Sequence, residues 1–244
     1  MRKLIISFLS LVLITSCVQS LDDYNIDKKR PSNAPAETFF TNAMKELSDV
    51  VTSPNVNINN FRLYVQHWAT TTYLQEPRYD LTSRIIPQNF WQKLYKDVIV
   101  DLHEARRLIE EDELVAAADK TAMFAQLEIV EVYAWSVLVN TFGDVPYSQA
   151  IDYENPVPAY DDAQTVYYDI LDRLDNALAS LDEAGTGFEA ADVLYNGDLD
   201  QWAKFGNSLK MKMGLLLADV DNAKAKQLVE EAAINVFTSN ADNA

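Results

Sequence analysis

The chain has 244 residues, is 48% hydrophobic and 11% aromatic, and carries 37 acidic against 20 basic side chains, a formal charge of −17. That composition belongs to a packed globular protein rather than a disordered one, and so acidic a surface repels nucleic acid and anionic lipid headgroups. With a single cysteine there is neither a disulfide framework nor a thiolate metal site.

Residues 1–16 read as a signal peptide. Arg2 and Lys3 precede an apolar run from Leu4 to Ile14, which is short of the roughly 18 apolar residues that a membrane span needs. The tetrad Ile14-Thr15-Ser16-Cys17 resembles a bacterial lipobox. That resemblance implies that the Cys17 thiol receives a diacylglycerol, the chain is cut before it, and the new amine is acylated. Each buried methylene adds about 0.8 kcal/mol, so several acyl chains anchor stably where one holds only marginally. The other reading is an ordinary cleaved signal with an incidental cysteine.

Residues 17–35 form a polar tether with Asp22-Asp23, Lys28-Lys29-Arg30 and two prolines; the residue before each proline disfavours helix. The acidic pair is either a sorting mark for the cell surface or simply solvated charge.

Residues 36–244 are expected to be all-α. Phe39, Phe40, Ala43, Met44 and Leu47 recur at helical spacing in residues 36–51. A second helix is expected over 87–111, with Pro87 in its first turn and a stripe of Phe90, Trp91, Leu94, Tyr95, Val98, Leu102, Ala105 and Leu108. The third, over 120–142, stops at Gly143, a residue suited to the position after a helix. Asp161 with Gln164, and Asp198 with Gln201, have the spacing of capping boxes. After the first come Val166, Tyr167, Ile170, Leu171, Leu174, Leu178 and Leu181; after the second, Trp202, Phe205, Leu209, Met213 and Leu216 are expected to face inward. A sixth helix follows Asp221, with Ala225, Leu228, Val229, Ala232 and Ala233. Strand signals are confined to short pieces such as 56–58. The connection over 143–160 is long for a helical bundle, and helix pairs of this length suggest a tetratricopeptide-like stack with long loops.

Four segments carry a family resemblance. Asn140-Thr141-Phe142-Gly143-Asp144-Val145-Pro146-Tyr147 resembles the Gly-Asp-Val/Ile-Pro-Tyr segment of SusD/RagB-like nutrient-binding lipoproteins. Pro158-Ala159-Tyr160-Asp161, Tyr195-Asn196-Gly197-Asp198 leading to Trp202-x-x-Phe205-x-Asn207-Ser208-Leu209, and Trp91-x-x-Leu94-Tyr95 resemble three more of its motifs, in the family's order. Because members of that family are about twice as long, the chain is expected to correspond to their N-terminal half. The resemblance implies a lipid-anchored protein on the outer face of the outer membrane, working with a SusC-like TonB-dependent transporter. It implies capture of an oligosaccharide, or in some members a peptide, without chemistry on it and without a cofactor.

The residues themselves offer little to an enzyme. His103-Glu104-Ala105-Arg106-Arg107 lacks the second histidine of a zinc helix motif, and the pairs Glu110-Glu111 and Asp22-Asp23 read as solvated charge. No catalytic or metal-ligating residue is therefore assigned. The ligand candidates lie within 64–88, where helical periodicity breaks and aromatic, amide and charged residues crowd together. Sugars present apolar CH faces and many hydroxyls, so flat rings beside hydrogen-bonding groups suit them. Trp68, Tyr73, Arg78 and Tyr79 are the candidates; the competing reading is a loop whose aromatics cover the first two helices. A second function class also stays open: a helical scaffold that keeps partner contacts but binds no nutrient.

Overall fold

The computed structural model describes residues 34–181 and 185–243. The expectations for the signal peptide, for Cys17 and for most of the tether lie outside the described residues.

Helix α1 (Ala36–Thr52) buries Phe40, Ala43, Met44 and Leu47 of the expected face and Val50 besides, while Phe39 is half-buried. A single turn, α2 (Phe61–Tyr64), sits in the following loop. The next long helix is continuous but not uniform: α3 (Ile86–Gln92) passes into a π-helical segment (Lys93–Ile99) and then α4 (Val100–Glu111). Pro87 lies in its first turn as expected. Phe90, Leu94, Val98 and Leu102 are buried at successive spacings of four. On an ordinary 3.6-residue helix each such step drifts by about 40°, and the wider π turn absorbs the drift. As a result Ile99 and Ile109 reach the core, while Trp91, Tyr95 and Leu108 of the expected stripe are only half-buried.

α5 (Ala117–Phe142) is apolar nearly all round and lies in the middle of the core, as such a helix must. It packs against α6 (Ala163–Leu181), while α7 (Leu199–Leu216) packs against α8 (Asn222–Ala232) and α1 against the π segment and α4. These are the helix pairs that a tetratricopeptide-like stack requires. Among the described residues there is no strand; 56–58 form a turn, and the only bridge pairs Val145 with Asp161.

The core closes where α1, α7 and the turn before Glu189–Ala191 meet. Phe40 stacks on Phe188 at 3.9 Å and lies 6.1 Å from Trp202, which is fully buried. The Trp202 indole N–H donates to the buried Asp192 carboxylate at 2.6 Å, and that carboxylate also accepts the backbone N–H groups of Leu194, Tyr195 and Gly197.

Three expectations near helix ends are corrected. Asp162, not Asp161, caps α6: its Oδ1 accepts the Thr165 N–H at 2.9 Å and the Thr165 hydroxyl at 3.0 Å. Asp161 points the other way, its carboxylate accepting the N–H groups of Tyr147 and Ser148 at 2.9 and 2.8 Å. Leu216 is 56% exposed, because the stripe continues from Leu209 and Met213 to Leu217, which is buried. Asp198 and Asp221 do cap α7 and α8, accepting from Gln201 and Lys224. Ala233, expected on the inner face of the last helix, falls beyond α8 and is exposed.

Candidate functional site

Between α1 and α3 the chain makes a loop whose order comes from side chains closing backbone ends. The Asn59 amide donates to the carbonyls of Val50 and Val51 at 3.1 and 3.0 Å, and Arg62 donates to those of Thr52 and Ser53 at 2.7 and 2.6 Å. The last turn of α1 leaves these oxygens without helical partners, and a cation there also meets the negative end of the helix dipole.

Each aromatic candidate is exposed and backed by a fixed partner. The Arg62 guanidinium lies 4.9 Å from the centre of the Trp68 ring, and Arg84 lies 4.6 Å from that of Tyr73. Arg84 is itself held at 2.9 Å by Glu76, a carboxylate buried to 1% exposure. Tyr79 stacks on Tyr64 at 5.6 Å with 20° between the planes, and its hydroxyl donates to the Tyr64 carbonyl at 3.0 Å. Trp68, Tyr73 and Tyr79 are 44, 49 and 62% exposed, so each keeps much of its surface in solvent. Arg78 is exposed in the turn Glu76–Arg78, just before Tyr79 at φ 60°.

Other members of the segment turn out to be structural. Asp80 closes the turn onto Thr82 and Ser83; the Ser83 hydroxyl and the backbone N–H groups of both residues hold its carboxyl down to about 2. Burial, with the Glu76 charge adding to it, raises the Tyr64 hydroxyl. The backing roles of Arg62 and Tyr64 carry no signal in the sequence, since they depend on loop geometry.

A second concentration of polar groups lies between α4, α5 and α6. Arg173 of α6 reaches both Glu128 and Glu131 of α5, Arg106 of α4 reaches Glu128 at 2.6 Å, and His103 approaches Glu131 at 3.3 Å. Burial opposes charge on Glu131, yet His103 and Arg173 hold its carboxyl down to about 2. The adjoining cavities, of about 390 and 210 Å³, share Arg106, Glu128 and Arg173. Each carboxylate here has a cationic partner, so the arrangement clamps helices together. Among the described residues no three His, Cys, Asp or Glu side chains gather to hold a metal ion.

The Gly-Asp-Val-Pro-Tyr segment ties the end of α5 to the start of α6. Gly143 ends α5 at φ 76°, Asp144 accepts the Ala163 N–H at 2.9 Å, and Val145 pairs with Asp161. The Pro146 carbonyl accepts the Tyr95 hydroxyl at 2.6 Å, and Tyr147 packs edge-on to Trp135 while bonding Asp169 and Arg173. The motif is thus an architectural knot.

Known proteins share this architecture. A SusD-like family model, described as "Starch-binding associating with outer membrane", matches residues 28–244. A SusD/RagB family protein from Bacteroides thetaiotaomicron superposes with a TM-score of 0.71 at 24% identity, over 87% of this chain and 45% of that one. A chitin-binding protein gives 0.70 at 24% identity, over 86% and 45%, and a chitin-binding SusD homologue from Flavobacterium johnsoniae gives 0.62 at 20%, over 83% and 44%. At these identities the likeness to solved structures is one of fold, and the chain spans less than half the length of each. A search of curated proteins finds no significant match. With the family model covering all the described residues, the chain belongs to the SusD-like family.

Proposed function

We propose that the chain is a glycan-binding lipoprotein of the outer membrane, anchored through Cys17 and exposed at the cell surface, which hands oligosaccharide to a TonB-dependent transporter. The observation that carries this reading is the set of three exposed rings, Trp68, Tyr73 and Tyr79, each backed by an arginine or a tyrosine. Rings fixed before binding lose little conformational freedom when a ligand arrives. Their apolar faces suit sugar CH surfaces, and the exposed Arg78, next to Tyr79 in the chain, supplies donors for hydroxyls. The family's description as starch-binding and the chitin-binding name of two structural neighbours support a polysaccharide-derived ligand.

Isothermal titration of the purified protein against maltooligosaccharides, chitooligosaccharides and a peptide panel tests the reading. Saturable binding of one sugar series is expected, weakened by roughly tenfold or more when Tyr73 and Tyr79 are both replaced by alanine. Binding of peptides alone would transfer the site to that ligand class. Binding of neither would leave a scaffold.

A further inference from the structure

The end of α7 carries three consecutive leucines, Leu215-Leu216-Leu217. Neighbouring helical residues point about 100° apart, so a helix lying on a core cannot bury all three. Leu217 is buried, whereas Leu215 is 58% exposed like Leu216 beside it, and Val220 is 80% exposed. The turn that carries Val220 is held in place. The Val220 and Asp221 N–H groups donate to the Leu217 carbonyl at 3.0 and 2.7 Å, and the Tyr168 hydroxyl of α6 donates to Asp221 at 2.7 Å.

Leu216, Leu217 and Val220 line a groove of about 500 Å³ together with Val139 near the end of α5 and Ala163 at the start of α6. Tyr167, also in the lining, is buried and donates its hydroxyl to the Met213 carbonyl of α7 at 3.1 Å, so side chains of three helices fix the shape. Among the described residues none that lines the groove is basic. Carboxylates flank it along the chain: the exposed Asp162 precedes Ala163, and Asp219 and Asp221 stand on either side of Val220. The closest lysines in the chain offset little of this. The Lys212 ammonium lies 5.3 Å from the centre of the Tyr133 ring, and Lys224 acts on Asp221 alone among the three.

We infer that this groove docks an amphipathic helix of a partner protein, its apolar face on Leu216 and Val220 and its lysine or arginine flanks towards Asp162 and Asp219. Helix-in-groove docking needs an apolar trough with fixed walls, and charge at the rim selects the partner. The other occupants fit less well. An added strand needs a sheet edge, and the described residues contain no strand. A sugar needs an exposed ring face, and Tyr167 is 6% exposed. A second copy joined through the same face would set Asp162 and Asp219 against identical charges. Anionic lipid headgroups are repelled for the same reason.

The test uses the full chain and a fluorescent synthetic helix of roughly five turns, with leucine at i, i+3, i+4 and i+7 and lysine elsewhere. A scrambled peptide of the same composition and a version with glutamate for lysine accompany it. Anisotropy at about 0.15 M salt is expected to show saturable one-to-one binding of the lysine helix, and binding weaker by roughly tenfold or more for the other two. The double variant Leu216→Gln, Val220→Gln should lose roughly tenfold in affinity with its melting temperature unchanged. Ile234→Gln, at an exposed position outside the groove, should lose none. Asp219→Asn should weaken binding by about two- to threefold, and by less as salt rises. Failure to bind the lysine helix, equal binding of the scrambled peptide, or undiminished affinity of the double variant overturns the docking groove. So does concentration-dependent dimerisation that the double variant abolishes, which would give the groove to a second copy.

Discussion

Arg173 Nη2 donates to Glu131 Oε1 at 2.8 Å, joining α6 to the central helix α5 through a carboxylate that is almost wholly buried. Trp135 donates to the same oxygen at 3.1 Å. Removing one partner of a buried pair leaves the other charge desolvated, at a typical cost of about 3–5 kcal/mol. Arg173→Met should therefore destabilise the protein by about 3 kcal/mol, the lower end because the guanidinium is partly solvated. Urea denaturation followed by far-ultraviolet dichroism measures it; a loss below 1 kcal/mol would show that Glu131 is adequately held by His103 and Trp135.

The same carboxylate sets a pH dependence. Its folded value lies near 2, below the ordinary 4.5, so its contribution to stability is complete above about pH 4.5 and is lost as pH falls towards 2. The melting temperature should drop across that window, and Glu131→Gln should flatten the drop. Thermal melts at half-unit steps from pH 5.5 to 2 decide the matter, with an unchanged slope in the variant counting against the assignment.

Trp202 is fully buried and hydrogen-bonded to Asp192. Trp202→Ala removes the ring that Phe40, Tyr195 and Phe205 pack upon and should cost about 3–5 kcal/mol. Chemical denaturation is the readout, and a near-neutral result would mean that the ring is not part of the cooperative core.

Gly143 tests backbone strain apart from packing. Its φ of 76° is unfavourable for any residue with a Cβ, yet an added Cβ would meet nothing within 4 Å. Gly143→Ala should destabilise by about 1–3 kcal/mol through strain alone. An unchanged melting temperature would show that the end of α5 can relax.

Cys17→Ala is expected to block acylation and release the protein from the membrane fraction. Metabolic labelling with a clickable fatty acid, read on Cys17 and variant proteins together, checks it; label retained by the variant rules the anchor out.

Helix positions were largely legible because apolar spacing reports burial directly, as in α1 and α6, and because Asp198 and Asp221 cap where their type suggests. What escaped depended on geometry that spacing does not encode. Asp161 and Asp162 are neighbours of the same type, and only the path of the loop decides which of them caps α6. Asn207 and Ser208 have side chains that compete for backbone bonds inside a helix; the Asn207 amide bonds the Ala203 carbonyl of its own helix, while the Ser208 hydroxyl accepts the Phe237 N–H. In the candidate loop the crowding of Trp68, Tyr73, Arg78 and Tyr79 was visible. The support of two of those rings by Arg62 and Arg84 was not, because those contacts cross turns of irregular backbone.

The π-helical segment Lys93–Ile99 also works as a phase setting. A residue occupies about 100° of ordinary helical rotation and less in the wider π turn, so regularising 93–99 to α-helix without removing a residue would turn α3 by roughly that angle relative to α4. Phe90 and Trp91 would swing away from Phe142. The wider turn of this stretch, more than the identity of its exposed residues, therefore governs whether the aromatic rings at that end of the molecule line up.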